Sequence, residues 1–252
     1  NDVSIDPDTG MDVHNSENPC LLLDAAVGSA GAIFDDSLLP AEELGTPTGG
    51  SGPSTGNTGT DIVGDMFADS TNVPCAYGTT PIAQPQEGYH DGVKVMIRLC
   101  ALPNLKSSSE ESQPGGKWYV EGANGQALVN SRVSGAWFAL VQAANAAGVG
   151  LHAESSFRTN AHQTDLCGGT CDGSFVARPG YSPHQMGLAI DFSGTHLKGT
   201  SSTSCSGRAR DPSSPVWTWL YNNAETYHIK QYSNESWHWD PLDTPSRCGT
   251  GQ

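Results

Sequence analysis

The stretch that decides the fold is Ser182-Pro183-His184-Gln185-Met186-Gly187-Leu188-Ala189-Ile190-Asp191. A histidine and an aspartate stand seven residues apart, with a glycine and a short apolar run between them. Leu188, Ile190 and Phe192 alternate, which predicts a short buried strand over 188–192 with those three on one face. Asp191 is out of phase and points to the other face. His184 lies upstream of Gly187, where the backbone can bend and return it to Asp191. Imidazole nitrogen and carboxylate oxygen are both good zinc donors. A third donor stands further on in Glu235-Ser236-Trp237-His238.

Zinc held by His184, Asp191 and His238 would keep one position open, the pattern of a catalytic site, whereas structural sites are closed by four protein ligands. An open position admits water, whose pKa zinc lowers to roughly 7. Glu235, three residues before His238, is the expected general base, near the metal without ligating it. Arg158 is the expected anchor for a peptide carboxylate, because its planar fork pairs with two oxygens. Ser155 and Gln163 flank it in sequence. Pairing of Arg158 with Glu154 or Asp165 is the structural alternative, and His196 is the substitute ligand. Trp237 is expected to turn into the core.

The rest of the chain surrounds this segment. A helix is expected over 131–147, with Val133, Ala136, Trp137, Leu140, Val141, Ala144 and Ala147 on one face, Asn130 or Ser131 as cap and Gly148 at its end. A second short helix should run over 159–166, and a third should open at Ser214-Pro215. Ile229–Tyr232 and Trp237–Trp239 read as two arms of a hairpin. Val93–Cys100 alternates as one strand, with Lys117–Glu121 as its partner. Strands and helices do not alternate regularly, so the fold class is α+β with a small antiparallel sheet rather than a wound parallel one.

Among 252 residues there are 30 glycines, 36% hydrophobic residues and a net charge of −15. Such a charge repels phosphate and argues against a nucleic-acid partner. No run approaches the ~18 apolar residues of a membrane span. Gly45–Thr60 has linker composition, so residues 1–60 are read as an N-terminal segment and tether, and 61–252 as the working domain with its core at 131–240. Cys20–Phe34 holds an apolar patch that suits a short helix. The seven cysteines form no Cys-x2-Cys pair, which favours disulfides and an oxidising compartment over a cytosolic zinc protein. No secretory leader is visible at the start, which fits a mature secreted form. Proximity pairs Cys75 with Cys100, Cys167 with Cys171 and Cys205 with Cys248, leaving Cys20 over.

Ser-x-His-x-x-Gly-x-Ala-x-Asp, then Glu-x-Trp-His, with an upstream Ser-x-x-Arg-x(4)-Gln, resembles the VanY/LdcB-like zinc D-alanyl-D-alanine carboxypeptidases of the M15 family. The resemblance spans about Val133 to Trp239; Ser236 stands where that family usually has proline. It implies a loop-rich Hedgehog/DD-peptidase-like fold. It implies His184, Asp191 and His238 as Zn2+ ligands and Glu235 as base. Arg158, Ser155, Gln163 and Ser182 would hold the substrate's terminal carboxylate and backbone, with Tyr181 bordering the pocket. The implied activity is removal of a C-terminal D-alanine from peptidoglycan stem peptides by a secreted or extracytoplasmic monomer of the bacterial cell envelope. L,D-carboxypeptidase or endopeptidase action, and a non-catalytic cell-wall binding module, are the alternatives.

Overall fold

The structure is a computed structural model and describes residues 62–168, 171, 176–200, 204–242 and 247–250. They fall within one compact unit, Gly52–Gln252. The expectations for residues 1–60, including the patch at Cys20–Phe34, lie outside the described residues. In chain order the elements are β1 (Thr80–Pro81), β2 (Gln86–His90), β3 (Val93–Ile97), β4 (Leu99–Lys106), β5 (Gln126–Asn130), α1 (Ser134–Ala146), β6 (Ala153–Ser155), α2 (Asn160–Cys167), β7 (Ile190–Phe192), α3 (Pro215–Asn223), β8 (Lys230–Tyr232), β9 (His238–Asp240) and β10 (Arg247–Cys248).

Five strands form an antiparallel sheet in the order β10-β8-β9-β7-β6. The mixed architecture of helices and small antiparallel sheets is the one expected. Leu188, Ile190 and Phe192 are fully buried, each contributing about 1.5–3 kcal/mol of burial. They pack with Trp239 of β9 and with Trp137 of α1 in the main core. The Trp137 indole N–H donates to the Leu188 carbonyl at 3.1 Å, so the amphipathic face of α1 is pinned to the segment carrying the candidate ligands. Between that segment's short 3-10 turn, Pro183–Met186, and β7, Gly187 adopts φ 66°. A Cβ there would lie 2.9 Å from the Asn130 nitrogen, so the reversal needs glycine on two counts.

Three local expectations are corrected. Val93–Cys100 is two strands, not one. The break falls at Arg98, whose N–H donates to Ser70 Oγ at 3.0 Å, and β3 pairs instead with β2. The Asp91-Gly92 tip between them has φ 49° and 76°, the positive pair that a two-residue hairpin requires. Lys117–Glu121 is not a strand. Its residues lie in turns, with Val120 N–H donating to Glu111 O, and β4 pairs with β1 and β5. Helix α1 begins at Ser134 without a side-chain cap. Of the two expected caps, Asn130 instead donates to Met186 O and accepts from Arg132 N–H, and the Ser131 hydroxyl donates to Ser70 O.

Thr159 caps α2 and Ser214 caps α3, both through the side-chain oxygen. The disulfides are Cys75–Cys100, Cys167–Cys171 and Cys205–Cys248, as proximity suggested. Cys20 lies outside the described residues.

Candidate metal centre

His184 leaves the 3-10 turn, Asp191 sits mid-strand in β7 and His238 opens β9. β7 and β9 pair with Asp191 directly opposite His238. Their donor atoms lie within 4.8 Å of one another. His238 Nδ1 is 2.9 Å from Asp191 Oδ1, His184 Nε2 is 3.2 Å from Asp191 Oδ2, and the two ring nitrogens are 3.2 Å apart.

The outer nitrogen of each ring is already engaged. His184 Nδ1 lies 2.7 Å from the Ser156 carbonyl, which can only accept. His238 Nε2 lies 3.1 Å from Asp240 Oδ2. Each outer nitrogen therefore carries the proton, and the inner nitrogens of neutral rings turn lone pairs toward each other and toward a carboxylate. Three acceptors at these distances require positive charge among them, either a proton or a cation. This donor set, with outer-shell partners fixing both tautomers, fits zinc.

The electrostatics agree with that reading. Burial pushes the His184 imidazole down, opposed by Asp191. Burial resists ionisation of Asp191, but the two imidazoles prevail and hold its carboxyl far below the usual carboxylate range. Burial also resists charging of His238, yet Asp191 and Asp240 push it up to about 9. A metal bound at His238 Nδ1 would take the place of that proton.

Asp240 is a contact of the cluster that the motif reading missed. It is fully buried, and its other oxygen accepts from Arg247 Nε at 2.5 Å. Burial resists its ionisation, but His238 and Arg247 hold its carboxyl below the ordinary value. The signal was present as His-x-Asp on a strand, a spacing that puts both side chains on one face.

The cluster opens into a cavity of about 820 Å³. Arg158, Tyr181, Ser182 and Glu235 line it together with all three cluster residues. Glu235 sits in the turn between β8 and β9, its Oε1 3.2 Å from Lys198 Nζ. Arg158 donates through Nη1 to Gln163 Oε1 at 2.9 Å and through Nη2 to Ser155 Oγ at 2.8 Å. Among the described residues no carboxylate pairs with it. Glu154 is near His196 and Asp165 pairs with Lys117. Ser155 and Gln163 thus meet the guanidinium rather than the cavity, and Gln163 is fully buried.

His196 lies outside the cluster, its Nε2 3.6 Å from Glu154 Oε1. Trp237 lines the cavity, beneath Lys198, and is not in the core. Trp239 takes that place, because β9 starts only at His238 and strand alternation does not extend back into the turn.

Residues 126–241 match the family model described as VanY, D-alanyl-D-alanine carboxypeptidase. No curated protein matches the chain. Among solved structures, the chain is similar to a vancomycin-resistance D,D-pentapeptidase VanY variant from a VanB-type cassette in complex with Zn(II), at 24% identity over 46% of this chain and 74% of that one, with a TM-score of 0.34. It is similar to VanYB in complex with D-alanine-D-alanine, at 23% over 51% and 75%, TM-score 0.34. It is also similar to the LdcB LD-carboxypeptidase, at 21% over 60% and 68%, TM-score 0.38.

Proposed function

We propose that this chain, whose residues 126–241 match the model of the VanY D-alanyl-D-alanine carboxypeptidases, removes a terminal D-alanine from peptidoglycan stem peptides as a zinc metallopeptidase. The observation that carries the reading is the inward-facing acceptor set of His184, Asp191 and His238, opening into a cavity shared with an arginine that has no acidic partner among the described residues. The working unit is taken as 61–252, with a Hedgehog/DD-peptidase-like fold. The three disulfides among the described residues support an extracytoplasmic, secreted setting, and the chain is taken to act as a monomer.

His184, Asp191 and His238 would hold the ion. When bound, zinc supplies Lewis acidity toward the scissile carbonyl and lowers the pKa of water. Arg158 receives the terminal carboxylate of the peptide. Gln163 and Ser155 fix the plane of its guanidinium, so the fork is oriented before substrate arrives. Ser182 and Tyr181 border the same wall. Glu235 takes the proton from the attacking water and returns it to the departing amine. Lys198 holds the Glu235 carboxylate at the cavity wall.

The decisive measurement is mass spectrometry of products from tri-, tetra- and pentapeptide stems, with free and amidated termini. Loss of one terminal D-alanine from the free pentapeptide alone is expected. Cleavage that survives amidation would replace the reading by endopeptidase action, and cleavage of the tetrapeptide instead would replace it by L,D-carboxypeptidase action. Glu235→Ala should keep zinc and lose about 10²–10⁴ in kcat; turnover at the parent rate would remove Glu235 as the base.

A further inference from the structure

Glu111 belongs to the stretch between β4 and β5, ahead of the residues that match the VanY model. It is 1% exposed. Its Oε1 accepts from the Thr159 N–H at 3.0 Å, meets Thr159 Oγ1 at 3.5 Å and lies 2.8 Å from His162 Nδ1. Among the described residues no lysine or arginine pairs with it. A carboxylate is costly to bury unless its oxygens are satisfied. Here the compensation comes from the cap and first turn of α2, where backbone N–H groups lack intrahelical partners.

The same turn holds the substrate anchor. Thr159 follows Arg158 directly, and Gln163, one turn into α2, accepts from Arg158 Nη1. The Arg158 N–H donates to His184 O at 3.0 Å. Two further contacts join the Glu111 stretch to α2. Lys117 pairs with Asp165, and Trp118 stacks on His162 with ring centroids 6.2 Å apart. Gln163, the one buried residue of α2, also donates to Ala177 O at 2.7 Å, and Asn160 Oδ1 accepts from Gln185 Nε2 at 2.9 Å; Glu111 adds the hold on the cap residue next to Arg158.

We propose that Glu111 is a positioning residue for the carboxylate anchor: by clamping the start of α2 it sets Gln163, and Gln163 sets the guanidinium plane of Arg158. This rests on Arg158 being the anchor. Glu111 touches no substrate. Its effect therefore falls on substrate binding, passes through Arg158, and vanishes when Arg158 is absent.

The test is a double-mutant cycle on the full, zinc-loaded chain, with a pentapeptide stem ending in D-alanyl-D-alanine. Glu111→Asp keeps the charge and withdraws the carboxylate by one methylene. It is expected to raise KM about tenfold with kcat within about twofold of the parent. Glu111→Gln, whose carboxamide oxygen still accepts from the Thr159 N–H, should stay within about threefold in KM. Arg158→Ala alone should raise KM further than Glu111→Asp, and adding Glu111→Asp to it should change nothing more. Should Glu111→Asp not fold, His162→Phe, which keeps a ring against Trp118 and removes the bond to Glu111, is read in the same cycle. Parent KM in Glu111→Asp, or a loss that multiplies on top of Arg158→Ala, overturns the proposal alone. Parent KM in Arg158→Ala overturns the anchor reading, and the proposal with it.

Discussion

The residues at 126–241 and the residues flanking them do different work. The matched segment supplies every proposed ligand, the base and the anchor. The segment also makes its own nearest supports, and the flanks, 62–125 and 247–250, add outer ones: Glu111 against α2, Arg247 against Asp240, and the Asp91-Gly92 hairpin tip, where Gly92 N–H donates to Gly180 O at 3.0 Å. The proposed chemistry is thus concentrated in a contiguous stretch, and its geometry is braced further from both ends of the described chain. If that division is right, damage inside the segment abolishes a function, and damage in the flanks grades it.

The largest effect belongs to the ligands. His184→Ala or His238→Ala should lose zinc outright, read by elemental analysis after dialysis. Parent zinc content in either would break the comparison at its root. Asp240→Asn sharpens it. All three proposed ligands remain, but the carboxamide no longer fixes the His238 tautomer as strongly, and zinc affinity should fall about 10–100-fold in a chelator competition. Arg247→Met, one contact further out and in the flank, should move the same affinity less than Asp240→Asn does. An equal or larger fall would place the flank on the same footing as the segment.

Gly187→Ala should lower thermal stability by more than the roughly 1 kcal/mol typical of a left-handed alanine, because the new methyl also meets the Asn130 backbone. Calorimetry at one pH reads it. The smallest effect lies where the matched segment meets the far C-terminal flank. Glu225 accepts from Thr250 N–H at 2.9 Å and from Thr250 Oγ1 at 3.1 Å, and these bonds, with Lys230, lower its pKa against a partial burial. A lowered carboxyl pKa stabilises the fold above the ordinary glutamate range and is lost as pH falls through the folded value. Glu225→Gln should therefore shrink the drop in Tm between neutral and acid pH slightly, with zinc binding at neutral pH unchanged.

How much of this was legible in the sequence follows the same division. His184, Asp191 and His238 could be read because strand parity and one glycine reversal decide where they point. Trp137 and Leu188 could be assigned to the core from periodicity alone. Asp240 was also within reach, since His238 and Asp240 share a strand face. The flank was less legible because its contacts are made by single side chains across long separations. Glu111 meets Thr159 and His162 with no periodic pattern at either end. Asp91-Gly92 is a strong hairpin signal, but the alternation of Val93–Cys100 ran straight through the break at Arg98. Parity misplaced Trp237 for a related reason, as the turn before β9 has none.

The Cys205–Cys248 bond fastens β10 next to Arg247, the residue that braces Asp240 behind His238. Protein produced in a reducing cytoplasm would lack this fastening, leaving the two-residue ladder against β8 and the non-covalent contacts of Gly249 and Thr250 to keep the brace in place. Preparations of different redox history would then differ in how well they retain their ion through purification, and a weak specific activity could reflect the expression host rather than the enzyme.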